Sequence, residues 1–458
     1  MKFSHLTISD PADLIFGTAP NPVKTSRGLV IGGGLVYPEL NFTLPTVEVS
    51  LGNLAEIKNH YAEIVLGALT RAVDLNSPGL ILEFETVVEM TLNPEIGIEL
   101  VKVMNEICED FFIRQGLKSE IRLTPNDLRD FDRPPRQRTS TYLNPMMELF
   151  EKGALAGGDL LSIESTGGKE LSDDALMMCD IRQFIFTQAV LGVRDMHMLW
   201  SKIVALAGRL NKIPGGDTAC AFGNTAMVLA EKKFIPKVFA AIARVATVPR
   251  SLVAYEEGAR GPSKDCGYEG PYMKAIAGIP ISMEGKNASC AHFSPVGNIT
   301  AACADLWSNE SVQNIKLLAG MAPTVSYEQL EYETRLMNTA THKGKVSAGV
   351  LKDLYIDSDI YHDPQAFVLA PDTVIKVAGE IVRGRNDLER TVNGCKKAIE
   401  LIDEAIKEGR LKDDPKETAW IPMIQAALET IPSNESQFIE EMLPMIDREK
   451  ISLAEYGL

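Results

Sequence analysis

The sequence predicts a parallel α/β fold: a (β/α)8 TIM barrel with an N-terminal extension and extra C-terminal helices. Three observations carry this. Short apolar runs recur, each followed by a polar or glycine-rich loop and then by a segment with helical spacing. The alternation extends from Gly79 to about Ala370, a span that suits a barrel core of roughly 250 residues. Several runs end in carboxylates or lead into thiols and glycines, the pattern of functional groups at strand C-termini. A doubly wound open sheet shares the first observation, and periodicity alone does not count strands well enough to exclude it.

Residues 1–77 precede the alternation and read as an extension packing on or beside a barrel of residues 78–458. Phe16–Pro45 is rich in Gly, Pro and Asn and reads as loop. Its Gly32-Gly33-Gly34 run is no dinucleotide fingerprint, because no glycine stands at 37 and Tyr37-Pro38 disfavours a helix start. Leu54–Val73 has one apolar helical face.

Gly79–Glu85 then reads as a strand, and Asn93-Pro94 as the start of a helix. Glu120–Thr124 is a second strand, Tyr142–Gly153 a helix, and Asp159–Glu164 a third strand. Ser172 is placed to cap the next helix, and the long helical region Ala175–Leu210 should break near Gly192. Gly215–Gly223 reads as strand and turn, and Thr225–Val245 as helix interrupted at Pro236. Ser251–Tyr255, Ile279–Met283 and Pro323–Tyr327 read as short strands, alternating with helices near Asn298–Leu318 and Tyr332–Thr341. Ala366–Ala370 is the candidate eighth strand. Leu388, Val392, Cys395, Ile399, Ile402 and Ile406 step by three and four along a tail helix that should pack on the barrel. Trp420–Leu428 and Gln437–Met445 read as peripheral helices.

A formal net charge of −16 argues against a nucleic-acid partner, which needs a basic face. There is no basic-then-apolar leader and no run of roughly 18 apolar residues, so neither secretion nor membrane insertion is expected. Seven cysteines, an odd number at wide spacings, argue against a disulfide framework and for a reducing cytoplasm with free or metal-bound thiols.

The loop Gly258–Gly270 holds four glycines, Pro262 and Cys266. Lys264 lies two residues before that thiol and should favour the thiolate. Filtering by strand ends retains Glu164, Cys220 within Gly215–Gly223, and Cys266. Brought to one mouth, a carboxylate and two thiols form a Cys2Glu set suited to Zn²⁺, with one position open for substrate. No regular spacing marks such a set, so incidental cysteines remain the plain alternative. Cys290-Ala291-His292 is a second candidate, with Cys290 packed and His292 hydrogen-bonded as its plain reading. Glu83 and Glu85 could line a mouth. Cys108, Cys179, Cys303 and Cys395 read as core, and His197 as helix packing.

Three segments carry a resemblance: Asp159–Gly168, Gly215–Asn224 and Gly261–Pro271. They resemble the methanol:corrinoid methyltransferase family, the zinc subunit of the methanol-specific system in methanogens and some acetogenic bacteria. The resemblance covers nearly the whole chain. It implies a barrel with an added N-terminal segment and zinc ligands Glu164, Cys220 and Cys266. It further implies transfer of the methyl of methanol to the Co(I) corrinoid of a separate corrinoid protein, with Zn²⁺ as Lewis acid on the methanol oxygen. That partner should cap the barrel mouth. A homodimer within the complex is expected, since many barrels dimerise. A proton donor should assist the departing oxygen, with Asp217, Asp265, Asp305 and His292 in or near the relevant segments. Two other functions stay open: a zinc barrel activating a thiol as methyl acceptor, and a non-catalytic zinc-binding subunit.

Overall fold

The computed structural model describes residues 3–42, 47–312, 315–318 and 320–458. An antiparallel hairpin opens the chain, β1 (Thr18–Lys24) with β2 (Val30–Gly33). A parallel sheet follows, built from β3 (Tyr37–Phe42), β4 (Leu80–Glu85), β5 (Ser119–Thr124), β6 (Gly158–Ile163), β7 (Ile213–Asp217), β8 (Ser282–Glu284) and β9 (Leu306–Ser311). Its order is β7-β6-β5-β4-β3-β9-β8. Neighbouring strands follow one another in sequence, and β9 returns to pair with β3 along six residues, so the sheet curls round as a barrel wall.

The remaining gap, between β7 and β8, is spanned by an irregular segment. Arg260 N donates to Pro214 O and Gly261 N to Gly215 O, both at 2.8 Å. On the other side Ser282 N donates to Ser263 Oγ at 3.3 Å. Residues 260–263 therefore stand where an eighth strand would. They cannot form a regular one, because Gly261 has φ +82 and Pro262 has no N–H to give a ladder. Ala366–Ala370 is instead a buried helical turn beginning at Pro364.

The wall alternates. On β4, Leu80, Leu82 and Phe84 join the main core, which the surrounding helices cover. Ile81 points the other way and meets Tyr37, Leu160, Ile213 and Leu306 in a separate apolar cluster. Those residues come from the beginnings of their strands. Val23, Leu29 and Ile31 of the hairpin complete the cluster and plug that end of the barrel. Further along, the inward positions turn polar: Glu39, Glu83, Arg122 and Ser162 are all fully buried. Chemistry is thereby confined to the opposite mouth.

The expected boundary at residue 77 shifts. β3 and the helix Leu54–Asp74 lie before it, yet β3 sits between β4 and β9 in the sheet. Its proline and its inward Glu39 and Asn41 hid it among loop residues. Residues 43–45 of the expected loop lie outside the described residues.

Other differences share one cause: fully buried runs carry no period. Ser251–Tyr255 is not a strand but part of the helix Val248–Glu257, buried on every side up to Tyr255. Pro323–Tyr327 opens the helix Ala322–His342, with Pro in its first turn. Asn298–Leu318 is a short turn at Ile299–Cys303 followed by β9. Ser172 lies inside the helix Lys169–Met177, whose cap position is Gly168. The 175–210 region breaks at Asp180, which caps through Gln183 N, and passes Gly192 as a π-helical turn.

Lys237–Glu257 has the length and composition of a bilayer-crossing segment, but its most apolar 18-residue stretch is buried inside the structure, as in a core helix. The tail helix Asp387–Lys407 packs as expected, with Cys395 fully buried. Helices Trp420–Glu429 and Glu435–Met442 follow it.

Candidate metal centre at the barrel mouth

Three segments end at the open mouth. Glu164 is the residue after β6. Cys220 begins the helix Cys220–Glu231, three residues after β7. Cys266 lies in the loop between the helices Val248–Glu257 and Gly270–Ala277. One carboxylate oxygen and the two sulfurs all fall within 4.8 Å of one another. Cys266 Sγ is 2.7 Å from Glu164 Oε1. Cys266 is buried, while Cys220 and Glu164 are half-buried, so the group faces the mouth from a protected position.

The loop bearing Cys266 can approach β7 because of two glycines. A Cβ on Gly216 would lie 2.3 Å from Tyr255 Oη and 3.1 Å from Ser263 Cα, and one on Gly215 would meet Ser162 Oγ at 2.7 Å. Gly216→Ala is therefore expected to push the loop off the barrel, costing about 1–3 kcal/mol. Metal content should fall with it. Chemical denaturation and metal analysis of the variant read both.

Further side chains fix the three ligands. Arg122 Nη1 donates to Ser162 Oγ and to the carbonyls of Pro262 and Ser263 at 2.9–3.1 Å, tying the loop to the barrel interior. Glu269 Oε1 accepts from Ala219 N and Ser251 Oγ, which joins the turn before Cys220 to the segment after Cys266. Asn224, one turn along the helix, donates to Cys220 Sγ at 3.2 Å. The quoted motifs contain Glu269 and Asn224, but nothing in their spacing gave them a role.

Lys264 is the local counter-charge. Its Nζ lies 2.8 Å from Glu164 Oε1, 2.9 Å from Glu85 Oε2 and 2.8 Å from Asp265 Oδ1. Burial opposes its charge, but the surrounding anions, Asp265 first, hold its pKa well above the ordinary lysine range. It is 3.7 Å from Cys266 Sγ, yet it does not produce the expected free thiolate. Burial first, then Cys220 and Glu164, push the Cys266 thiol well above its usual range. The Cys266 hydrogen bond lowers the Cys220 thiol, but burial, Glu164 and Glu284 outweigh it and bring it to about 12. Burial therefore keeps both thiols protonated, with Cys266 donating to Glu164. A borderline-soft dication can displace both protons, and two sulfurs with one oxygen are a donor set that fits Zn²⁺.

Among the candidate proton donors, Asp217 is committed elsewhere, accepting from Ser165 N, Ser165 Oγ, Thr218 N and Trp200 Nε1. Asp305 pairs with Lys274 at 2.9 Å and accepts from Ile281 N. Asp265 stands at the mouth, where Lys264 overcomes the effect of burial and brings it down to about 2, so it carries no proton. Of the carboxylates Glu83 and Glu85, Glu85 reaches the mouth, accepting from Lys264 and Asn41, whereas Glu83 is fully buried inside the barrel and accepts from Thr124 Oγ1. Cys290 is exposed rather than packed, and His292 Nε2 is buried with carboxylate oxygens of Glu284 and Glu310 at 3.5 and 3.7 Å and no hydrogen bond among the described residues. Cys108 and Cys303 are buried, Cys179 is half-buried, and His197 forms an ion pair with Glu257 at 2.6 Å.

A groove of about 550 Å³ is lined by the N-terminal segment with Thr341, Lys345 and Ala348, and shares no residue with this centre.

A family model described as methanol-cobalamin methyltransferase B subunit matches residues 1–457. The chain is 37% identical over 448 residues to a methanol–corrinoid protein co-methyltransferase of Methanosarcina barkeri, covering 96% of this chain and 95% of that one. It also matches the crystal structure of the methanol:cobalamin methyltransferase complex MtaBC from Methanosarcina barkeri. The TM-score is 0.95 and the identity 36%, over the whole of both chains.

Proposed function

Because the chain belongs to the methanol-cobalamin methyltransferase B subunit family, we propose that it transfers the methyl group of methanol to the Co(I) corrinoid of a partner protein. The observation that carries the reading is the convergence of Glu164, Cys220 and Cys266 at the mouth. These three would hold Zn²⁺, which when bound supplies Lewis acidity towards the methanol oxygen.

The chain's own residues do the rest. Asn224 orients the Cys220 sulfur, and Lys264 fixes the Glu164 carboxylate against Glu85. The deep placement of Cys266 keeps bulk water from the reacting position. Hydroxide is a poor leaving group, so the oxygen must take up a proton as it departs as water. Glu85, which shares Lys264 with Glu164, is the group we propose gives it. Burial, partly offset by Lys264, raises this carboxyl to about 7, so it carries a proton for much of the time near neutrality. The corrinoid domain would cover the mouth during transfer, and the free cysteines suit a reducing cytoplasm.

The test is methylation of cob(I)alamin, or of a corrinoid protein, by the zinc-loaded chain, followed by the absorbance of Co(I). A methanol-dependent loss of that absorbance supports the reading. A rate indifferent to methanol refutes it, and transfer from methylcobalamin to added thiols instead would establish a thiol-activating enzyme.

A further inference from the structure

Beside the Cys2Glu group lies a second set of ligand-type atoms with a different composition. Glu284 ends β8, His292 follows the short helix Lys286–Ala291, and Glu310 lies near the end of β9. One atom from each falls within 4.8 Å of the others. His292 Nε2 is 3.5 Å from Glu284 Oε1 and 3.7 Å from Glu310 Oε2. Those separations are too long for hydrogen bonds, which bring such atoms to about 2.7–3.2 Å. They match ligands sharing one ion: bonds of about 2.1 Å put two tetrahedral ligands about 3.4 Å apart.

Two further observations point the same way. Glu284 is fully buried, and among the described residues neither its Oε1 nor His292 Nε2 has a hydrogen-bond partner; the two only face each other at 3.5 Å. Buried polar atoms that make no hydrogen bond are costly. The other Glu284 oxygen, Oε2, accepts from Tyr268 Oη, which in turn lies under the Arg244 guanidinium at 5.0 Å. A ligating carboxylate is held in this way, one oxygen fixed by a partner and the other turned into the site.

The charge around the site also calls for a cation. Glu85, Glu164, Asp265, Glu284 and Glu310 face Lys264 and His292.

We infer that Glu284, His292 and Glu310 form a second divalent-cation site, distinct from the Cys2Glu centre and next to it. Its donors are one imidazole and two carboxylates, so it takes a first-row dication through nitrogen and oxygen. Glu284 lies between the two, since its carboxylate also comes within 4.8 Å of Cys266 and Asp265. The second ion would neutralise the acidic side of the mouth that the partner's corrinoid must approach.

The two sites are separable by spectrum and by count. The full chain is stripped with a chelator, reloaded with Co²⁺, and its bound cobalt is measured by elemental analysis. Thiolate ligation gives an intense sulfur-to-cobalt charge-transfer band, and a nitrogen–oxygen site gives only weak visible bands. The wild type should bind about one equivalent beyond the thiolate site. His292→Ala and the milder Glu310→Gln should lose that equivalent and keep the charge-transfer band, which also shows that they fold. Cys220→Ser should do the reverse. A single equivalent in the wild type, or an unchanged count in both His292→Ala and Glu310→Gln, overturns the inference. Loss of the band from the wild type with the other equivalent retained would count against the Cys2Glu centre and leave this site standing.

Discussion

After zinc loading, Cys266→Ser is expected to retain no metal and to lower methanol-dependent methylation of cob(I)alamin about a thousandfold. A Lewis acid of this kind is worth several kcal/mol to the reaction, and about 4 kcal/mol corresponds to that factor. Cys220→Ser should behave alike, because a hydroxyl is a far poorer ligand for a borderline-soft ion than a thiolate. The fold should survive both changes, since each replaces one sulfur by oxygen at a site that contributes little to the apolar core. Metal analysis and absorbance at the Co(I) band, run on both variants beside the wild type, decide the matter. Intact zinc and turnover in either variant would remove that cysteine from the ligand set.

Arg122→Met should produce the largest loss of stability. This guanidinium is fully buried inside the barrel, bonded through Nε to Glu39 Oε1 at 2.6 Å and through Nη1 to Ser162 and two carbonyls of the loop. Removing one partner of a buried pair costs about 3–5 kcal/mol, because the other charge is left without compensation. Here the remaining group is Glu39, whose pKa burial already holds above the ordinary range. The same change frees the carbonyls of Pro262 and Ser263, so Cys266 should lose its fixed position and zinc affinity should fall. Adding Glu39→Gln should recover part of the stability but not the zinc affinity. Equilibrium denaturation of both variants, with metal titration, separates the two consequences. A single variant as stable as the wild type would show that Arg122 does not fasten the loop.

Much of the wall was legible because its strands are short, apolar and bounded by turn residues. β4, β5 and β6 lie within a residue or two of their expected places. The misread segments were those whose surroundings are uniform. Val248–Tyr255 is buried all round, so its helical period is invisible. β3 carries inward polar residues, so its apolar alternation is weak. The gap in the wall is closed by 260–263, a stretch whose glycine and proline mark a loop in any sequence. Glu164, Cys220 and Cys266 were placed by strand ends and by the resemblance. Glu284 and Glu310 carry no sequence signal, because carboxylates near a strand end are common and their partner, His292, lies on another element.

The sequence by itself determined the alternation of strands and helices, the tail helix, and the three segments that bear the carboxylate and two thiols. Those are local properties, written in periodicity, turn residues and residue type. Only the tertiary structure decided which strand opens the barrel and how the wall closes. It also decided what charge surrounds the thiols: Lys264 bonds to carboxylates from β4, from the end of β6 and from its own neighbour Asp265. A pKa or a ligand set depends on distance in space, and residues 85, 164 and 264 become neighbours only when the sheet curls and brings its strand ends to one mouth.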